Sequence, residues 1–166
     1  MTPAVLAEGM GAATFTPPRK PGDPEVDALM ATFAHGNGVK VLHEGIQYLA
    51  ERSKDEQRWL AALARAPVPV TMIWGVYDTV SPLRVASYVW DQYLMFKPGG
   101  NRLYFIPDAN HYPQVDRPDA FVKVLLHALE PPGGQGPGAL EAGLGAPLLV
   151  DTSRERLSAA ADVLRV

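Results

Sequence analysis

Val68–Pro82 reads VPVTMIWGVYDTVSP, and the order of residues in this stretch decides the fold class. Val68 to Trp74 is short, rich in β-branched and large apolar side chains, and bounded by Pro and Gly. That is the signature of a buried strand. Asp78 follows in a turn. Ser81-Pro82 then offers an N-cap and a proline suited to the first helical position. A helix is expected from there, with Val85, Val89 and Phe96 marking its apolar face. Beyond the breaker KPGGN, Arg102 to Ile106 repeats the strand pattern, and the loop after it carries His111. A second helix opens near DRPDA (Asp116 to Ala120), with Phe121, Val124, Leu125, Ala128 and Leu129 as its stripe. Strand, helix, strand, helix predicts two parallel strands joined by a right-handed crossover, which is an α/β arrangement.

Outward from this unit the pattern changes. Residues 1–24 are dense in Pro, Gly and Ala, with TPPRKPGDP from Thr16 to Pro24, and read as a flexible N-terminal segment. Residues 25–66 read as three cap-like helices. The first runs from Glu25 to Phe33 and is broken by HGNG (His35 to Gly38). The second spans about Val39 to Glu51, with Val41, Leu42, Ile46 and Leu49 on one side. The third runs from Lys54 to about Arg65. Residues 67–130 hold the strand and helix unit. Residues 131–146 open on PPGGQGPG and have the composition of a linker, and 147–166 suggest a short strand followed by a helix with a Thr152/Glu155 capping box.

Composition narrows the function classes. The chain has 166 residues, no cysteine and a net charge of −3. No thiolate chemistry or cysteine-ligated metal is available, and scattered basic residues give no footprint for nucleic acid. The N-terminus lacks the basic flank and apolar run of a signal peptide, and no stretch has the length to span a bilayer. A cytoplasmic protein without membrane or nucleic-acid partners is the expectation.

Two residues carry chemistry. Asp78 lies just past one expected strand and His111 just past the next. Neighbouring parallel strands bring their carboxyl ends together, and this is where α/β folds build sites. Alone, Asp78 is an ordinary turn aspartate and His111 a loop histidine. As a pair, an acid can orient an imidazole that takes and returns a proton near neutral pH. The other histidines are weaker candidates. HEGIQ at His43 has Gln47 where a zinc helix needs its second histidine, His35 sits beside a glycine break, and His127 falls off the apolar face, as on a solvated surface. No set of metal ligands clusters, no phosphate loop is present, and no cofactor is expected. Tyr48 and Trp59 are expected to serve in packing.

VPVTMIWGVYDTVSP followed by NRLYFIPDANHYPQVDRPDAFVKVLLHAL resembles the C-terminal half of the α/β-hydrolase superfamily. YLAERSKDEQRWLAAL before it looks like the end of a helical cap. The combination is most similar to the haloalkane dehalogenase and epoxide hydrolase branch, including its mesoderm-specific-transcript-like members, over roughly residues 25–130. The resemblance implies a partial α/β-hydrolase fold: a cap remnant plus the last two parallel strands and their helices. It makes Asp78 the triad acid and His111 the triad base. It also implies hydrolysis of an alkyl halide, epoxide or ester, with a nucleophile that is usually an aspartate on a strand-to-helix elbow.

No such elbow can be found. The sequence contains neither G-x-S-x-G nor His-Asp-x-Gly, and no serine sits in an equivalent setting. In the family the elbow lies upstream of the cap. The expectation is therefore a partial hydrolase, inactive alone, that would accept a small-molecule substrate only if completed by an N-terminal half. A non-catalytic binding or scaffold module, or one half of a split hydrolase, are the alternatives. With only Arg102–Ile106 beside it, the first strand should leave an edge open, leading to self-association, occupancy by the tail near Pro147–Val150, or partial disorder.

Overall fold

A computed structural model describes residues 2–130 and 147–151 of the chain. The elements are α1 (Pro3–Thr14), α2 (Pro24–Ala34), α3 (Gly38–Gly45), α4 (Tyr48–Arg65), β1 (Thr71–Gly75), α5 (Leu83–Val89), β2 (Arg102–Ile106), α6 (Pro113–Asp116), α7 (Pro118–Ala128) and β3 (Leu148–Asp151). β1 and β2 run parallel with Ile73 opposite Tyr104 and Gly75 opposite Ile106. β3 lies on the far side of β2 and runs antiparallel to it. The described architecture is thus helices around a small sheet that contains two parallel strands.

Alternation along the strands divides the core between the two sheet faces. Leu103 is buried on one face against Ala86, Trp90 and Leu94, with Met72, Trp74, Phe105 and Leu63 packed around them. Tyr104 and Ile106 are buried on the other, against Ala109 and Val124, with Ile73, Phe121, Ala128 and Leu149 at the margin. A third cluster joins the N-terminal helices to the loop after β2: Ala7, Phe15 and Val26 pack with Tyr112 and Val115.

Buried polar groups lock the entry to both strands. Asn101, fully buried, accepts the Val70 N–H at 3.0 Å and the Lys97 ammonium at 3.1 Å, and donates to the carbonyls of Leu94 and Lys97. The Lys97 ammonium also reaches the Val68 carbonyl at 2.6 Å. The Trp74 indole N–H donates to the Ser81 carbonyl at 2.8 Å and fixes the turn that carries Asp78.

Several expectations are corrected. Pro3–Thr14, expected to be loop within residues 1–24, is helical. Thr2 caps it by accepting the Val5 N–H and Pro3 takes the first turn, while Gly11 lets the helix approach the Arg19 carbonyl. The helix expected over Val39–Glu51 stops at Gly45, where tight bonds such as Gln47 N–H to the Glu44 carbonyl turn the chain. One continuous helix then runs from Tyr48 to Arg65. Pro82, not Ser81, is the cap residue of α5, no side chain caps the helix, and the Ser81 N–H donates to Asp78. A π-helical turn, Trp90–Leu94, extends α5, so its buried stripe is Ala86, Trp90 and Leu94 while Phe96 stands 80% exposed. On α7 the buried side is Val124 with Phe121 and Ala128, and Leu125 and Leu129 face outward.

β1 is only half-buried, and Val68 ahead of it is exposed. Its outer edge has no partner among the described residues: the tail strand pairs with β2 instead. Tyr48 and Trp59 are exposed rather than packed, as are Val41, Ile46 and Leu49. The expected linker 131–146 and the Thr152/Glu155 capping box lie outside the described residues. No described helix is long and apolar enough to cross a membrane.

Candidate active site

The loops that follow β1 and β2 meet at the carboxyl end of the sheet. The Val76 N–H donates to the Ile106 carbonyl at 3.1 Å, and the Tyr77 N–H to the Ala109 carbonyl at 2.8 Å. The crossing is so close that a β-carbon on Gly75 would lie 2.1 Å from the Asn110 carbonyl oxygen. Only glycine permits this approach.

Asp78 and His111 are brought together there. His111 Nδ1 lies 3.0 Å from one carboxylate oxygen of Asp78 and 3.2 Å from the other. Oδ1 of Asp78 also accepts the N–H groups of Val80 at 2.9 Å and Ser81 at 2.7 Å. These bonds hold the carboxylate at a fixed angle to the ring. Asp78 is buried, whereas the His111 side chain is 35% exposed. A carboxylate only accepts, so Nδ1 carries the shared hydrogen, and in the neutral ring Nε2 presents a lone pair. Nε2 has no hydrogen-bond partner among the described residues. Such a pair can take a proton from a water or hydroxyl placed at Nε2, and the carboxylate supports the charge that results.

The surroundings of the pair are aromatic and hydrogen-bonded. Tyr112 packs edge-on against His111 with ring centres 5.3 Å apart, and the Phe15 ring lies 5.3 Å from that of Tyr112. Burial raises the Tyr112 phenol above its ordinary value of 10.0. Oδ2 of Asp116 accepts the N–H groups of Asn110 at 2.8 Å and Thr16 at 3.0 Å, and the Thr79 hydroxyl donates to the Ala13 carbonyl at 2.6 Å.

Asn110, Asp116, Thr79, Gly75 and Phe15 were not legible as site residues. The bonds that tie them to Thr79, Ala13, Phe15 and Thr16 span 31 to 100 positions, with no local signal. Among the other histidines, His127 is not solvated as expected: its Nδ1 lies 2.6 Å from the hydroxyl of the fully buried Tyr104. His35 and His43 are exposed, and no cluster of three or more metal-ligating side chains occurs among the described residues.

An acid and a histidine, hydrogen-bonded at the carboxyl ends of two parallel strands, are the kind of pair found in enzymes that activate a hydroxyl or water. Comparison with known proteins points to the same class. Over 115 residues the chain is 29% identical to LipZ, a Mycobacterium tuberculosis protein named as a hydrolase, covering 69% of this chain and 38% of the relative. Over 112 residues it is 27% identical to the human mesoderm-specific transcript homolog protein, covering 68% of this chain and 32% of the relative. The mouse protein matches at 26%. The chain therefore spans about a third of the length of the curated relatives it matches. These similarities support a hydrolase-like family without singling out a branch. No protein-family model and no solved structure matches.

Proposed function

We propose that this chain is the acid- and base-bearing part of an α/β-hydrolase that acts on small organic substrates, with Asp78 as the acid and His111 as the base. The observation that carries the reading is the hydrogen bond from His111 to Asp78 across the ends of β1 and β2. Resemblance to the haloalkane dehalogenase and epoxide hydrolase branch makes an alkyl halide, epoxide or ester the substrate class. For a halide or epoxide, an aspartate attacks the substrate carbon and expels the halide or opens the ring, and water activated by the histidine then splits the alkyl-enzyme ester.

The stretch of 166 residues supplies the second of these roles and no recognisable nucleophile. The edge of β1 without a partner among the described residues and the exposed apolar residues Val41, Ile46, Leu49 and Trp59 favour a nucleophile-bearing portion as the neighbour. That portion would also bring the oxyanion- or halide-stabilising groups, usually the largest electrostatic contribution to rate. Without it the pair can assist water directly, by about 10²–10⁴-fold at most.

The test compares this chain with His111→Ala on p-nitrophenyl esters, haloalkanes and styrene oxide. Slow, non-saturating hydrolysis without a covalent intermediate is expected, faster than in His111→Ala by about 10²–10⁴-fold at most. Saturable turnover that His111→Ala abolishes, with a trapped covalent intermediate, would place a nucleophile within these residues and overturn the reading.

A further inference from the structure

We propose that Asn110 is a positioning residue of the acid–histidine pair, which it holds together through its side-chain carbonyl. This rests on the reading of Asp78 and His111 as a functional pair and adds a residue to it. Asn110 is buried, at 4% exposure, and its polar atoms are engaged in a single consistent pattern. Oδ1 accepts the backbone N–H of Thr79 at 3.1 Å and that of His111 at 2.8 Å. Nδ2 donates to the Phe15 carbonyl at 3.3 Å. Oδ1 faces two donors and Nδ2 faces an acceptor, so the amide has one workable orientation.

The position of these bonds gives Asn110 its role. Backbone pairing between the two loops reaches Tyr77 on one side and Ala109 on the other. Asp78 lies one residue beyond the first and His111 two beyond the second. Across that last step, the Asn110 oxygen receives the N–H of the residue after the acid and the N–H of the histidine itself. It is therefore a direct polar link between the two backbones at the level of the pair. Asn110 is itself held by its own N–H to Asp116, which also takes the Thr16 N–H. The Phe15–Thr16 segment thus braces the amide from outside the sheet. A substitution that removes the oxygen frees both N–H groups, and the loops then keep their fold through Tyr77 and Ala109 while the acid and ring lose a common reference.

The readout is the hydrogen on His111 Nδ1, observed by NMR on the full chain with ¹⁵N-labelled histidine. In the parent a slowly exchanging Nδ1–H resonance is expected that disappears in Asp78→Ala. Asn110→Leu, close in size and without polar atoms, is expected to stay folded and to exchange that hydrogen about tenfold faster or lose the resonance. Asn110→Asp keeps an acceptor for both N–H groups and is expected to restore it. A general structural role would lower the melting temperature and leave the resonance in place. If Asn110→Leu does not fold, Asn110→Ser, whose hydroxyl is too short to reach across to Thr79, carries the same test. A folded variant lacking the amide with an undisturbed Nδ1–H resonance would overturn the proposal. A parent without an Asp78-dependent resonance would instead overturn the pair itself.

Discussion

Replacing Gly75 with alanine strikes the point where the two site loops cross. The new β-carbon would sit 2.1 Å from the Asn110 carbonyl oxygen, 2.6 Å from that of Ala109 and 2.8 Å from the Ala109 carbonyl carbon. All three atoms are backbone, so no side chain can swing away. Ordinary contact requires about 3.4 Å or more, and the loops must part by roughly 1 Å. The bond from Tyr77 N–H to the Ala109 carbonyl, now 2.8 Å, lies directly in that path. His111 Nδ1 to Asp78, now 3.0 Å, would stretch beyond the range of a useful hydrogen bond. Overpacking of this kind costs about 1–3 kcal/mol, and the lost backbone bond adds about 1 kcal/mol. Thermal unfolding followed by circular dichroism should show Tm falling by about 5–10 °C. Gly45→Ala is the control: its β-carbon would meet nothing within 4 Å, and no loss of stability is expected. A Gly75→Ala protein as stable as the parent, with the His111–Asp78 bond intact, would refute the argument that the close crossing builds the site.

Asn101→Ala removes the acceptor of the Val70 N–H and the Lys97 ammonium and the donor to two carbonyls; chemical denaturation should show a loss of about 3 kcal/mol. Because burial raises the Tyr112 phenol, the folded state holds that proton more tightly than the unfolded chain. Its contribution is complete below pH 10 and falls as pH rises through the raised value, so alkaline destabilisation should be smaller in Tyr112→Phe when both are unfolded in urea at pH 9 and pH 11. The outer edge of β1 has no described partner, so sedimentation velocity should show apparent mass rising with concentration, and a concentration-independent monomer would count against an open edge.

The parts of this molecule that could be read in sequence are those whose signal is local. Arg102–Ile106 forms β2 at the positions expected, because a short aromatic and aliphatic run bounded by GGN and PDAN is too short for a helix. Asp78 and His111 could be paired because parallel neighbours place their carboxyl ends side by side. α1 was hidden by its glycines, although Thr2-Pro3 is a sound start signal. On α5 the expected stripe holds at Val89, which packs against the core, and fails at Phe96, because the π-helical turn shifts the angular position of everything after Trp90. Asn110 and Asp116 were out of reach for a different reason. Their meaning lies in bonds to Thr79, Phe15 and Thr16, which only the folded chain brings near.

The central claim is that His111, oriented by Asp78, is the base of a hydrolase. The most direct measurement joins this chain to the N-terminal portion of the LipZ relative and compares turnover of the assembled chimera with that of its His111→Ala variant. Hydrolysis of p-nitrophenyl esters, haloalkanes or styrene oxide that falls by about 10²–10⁴-fold in the variant is the expected result. A chimera shown by circular dichroism and gel filtration to be folded, whose turnover is unchanged by His111→Ala or absent in both forms, would contradict the account.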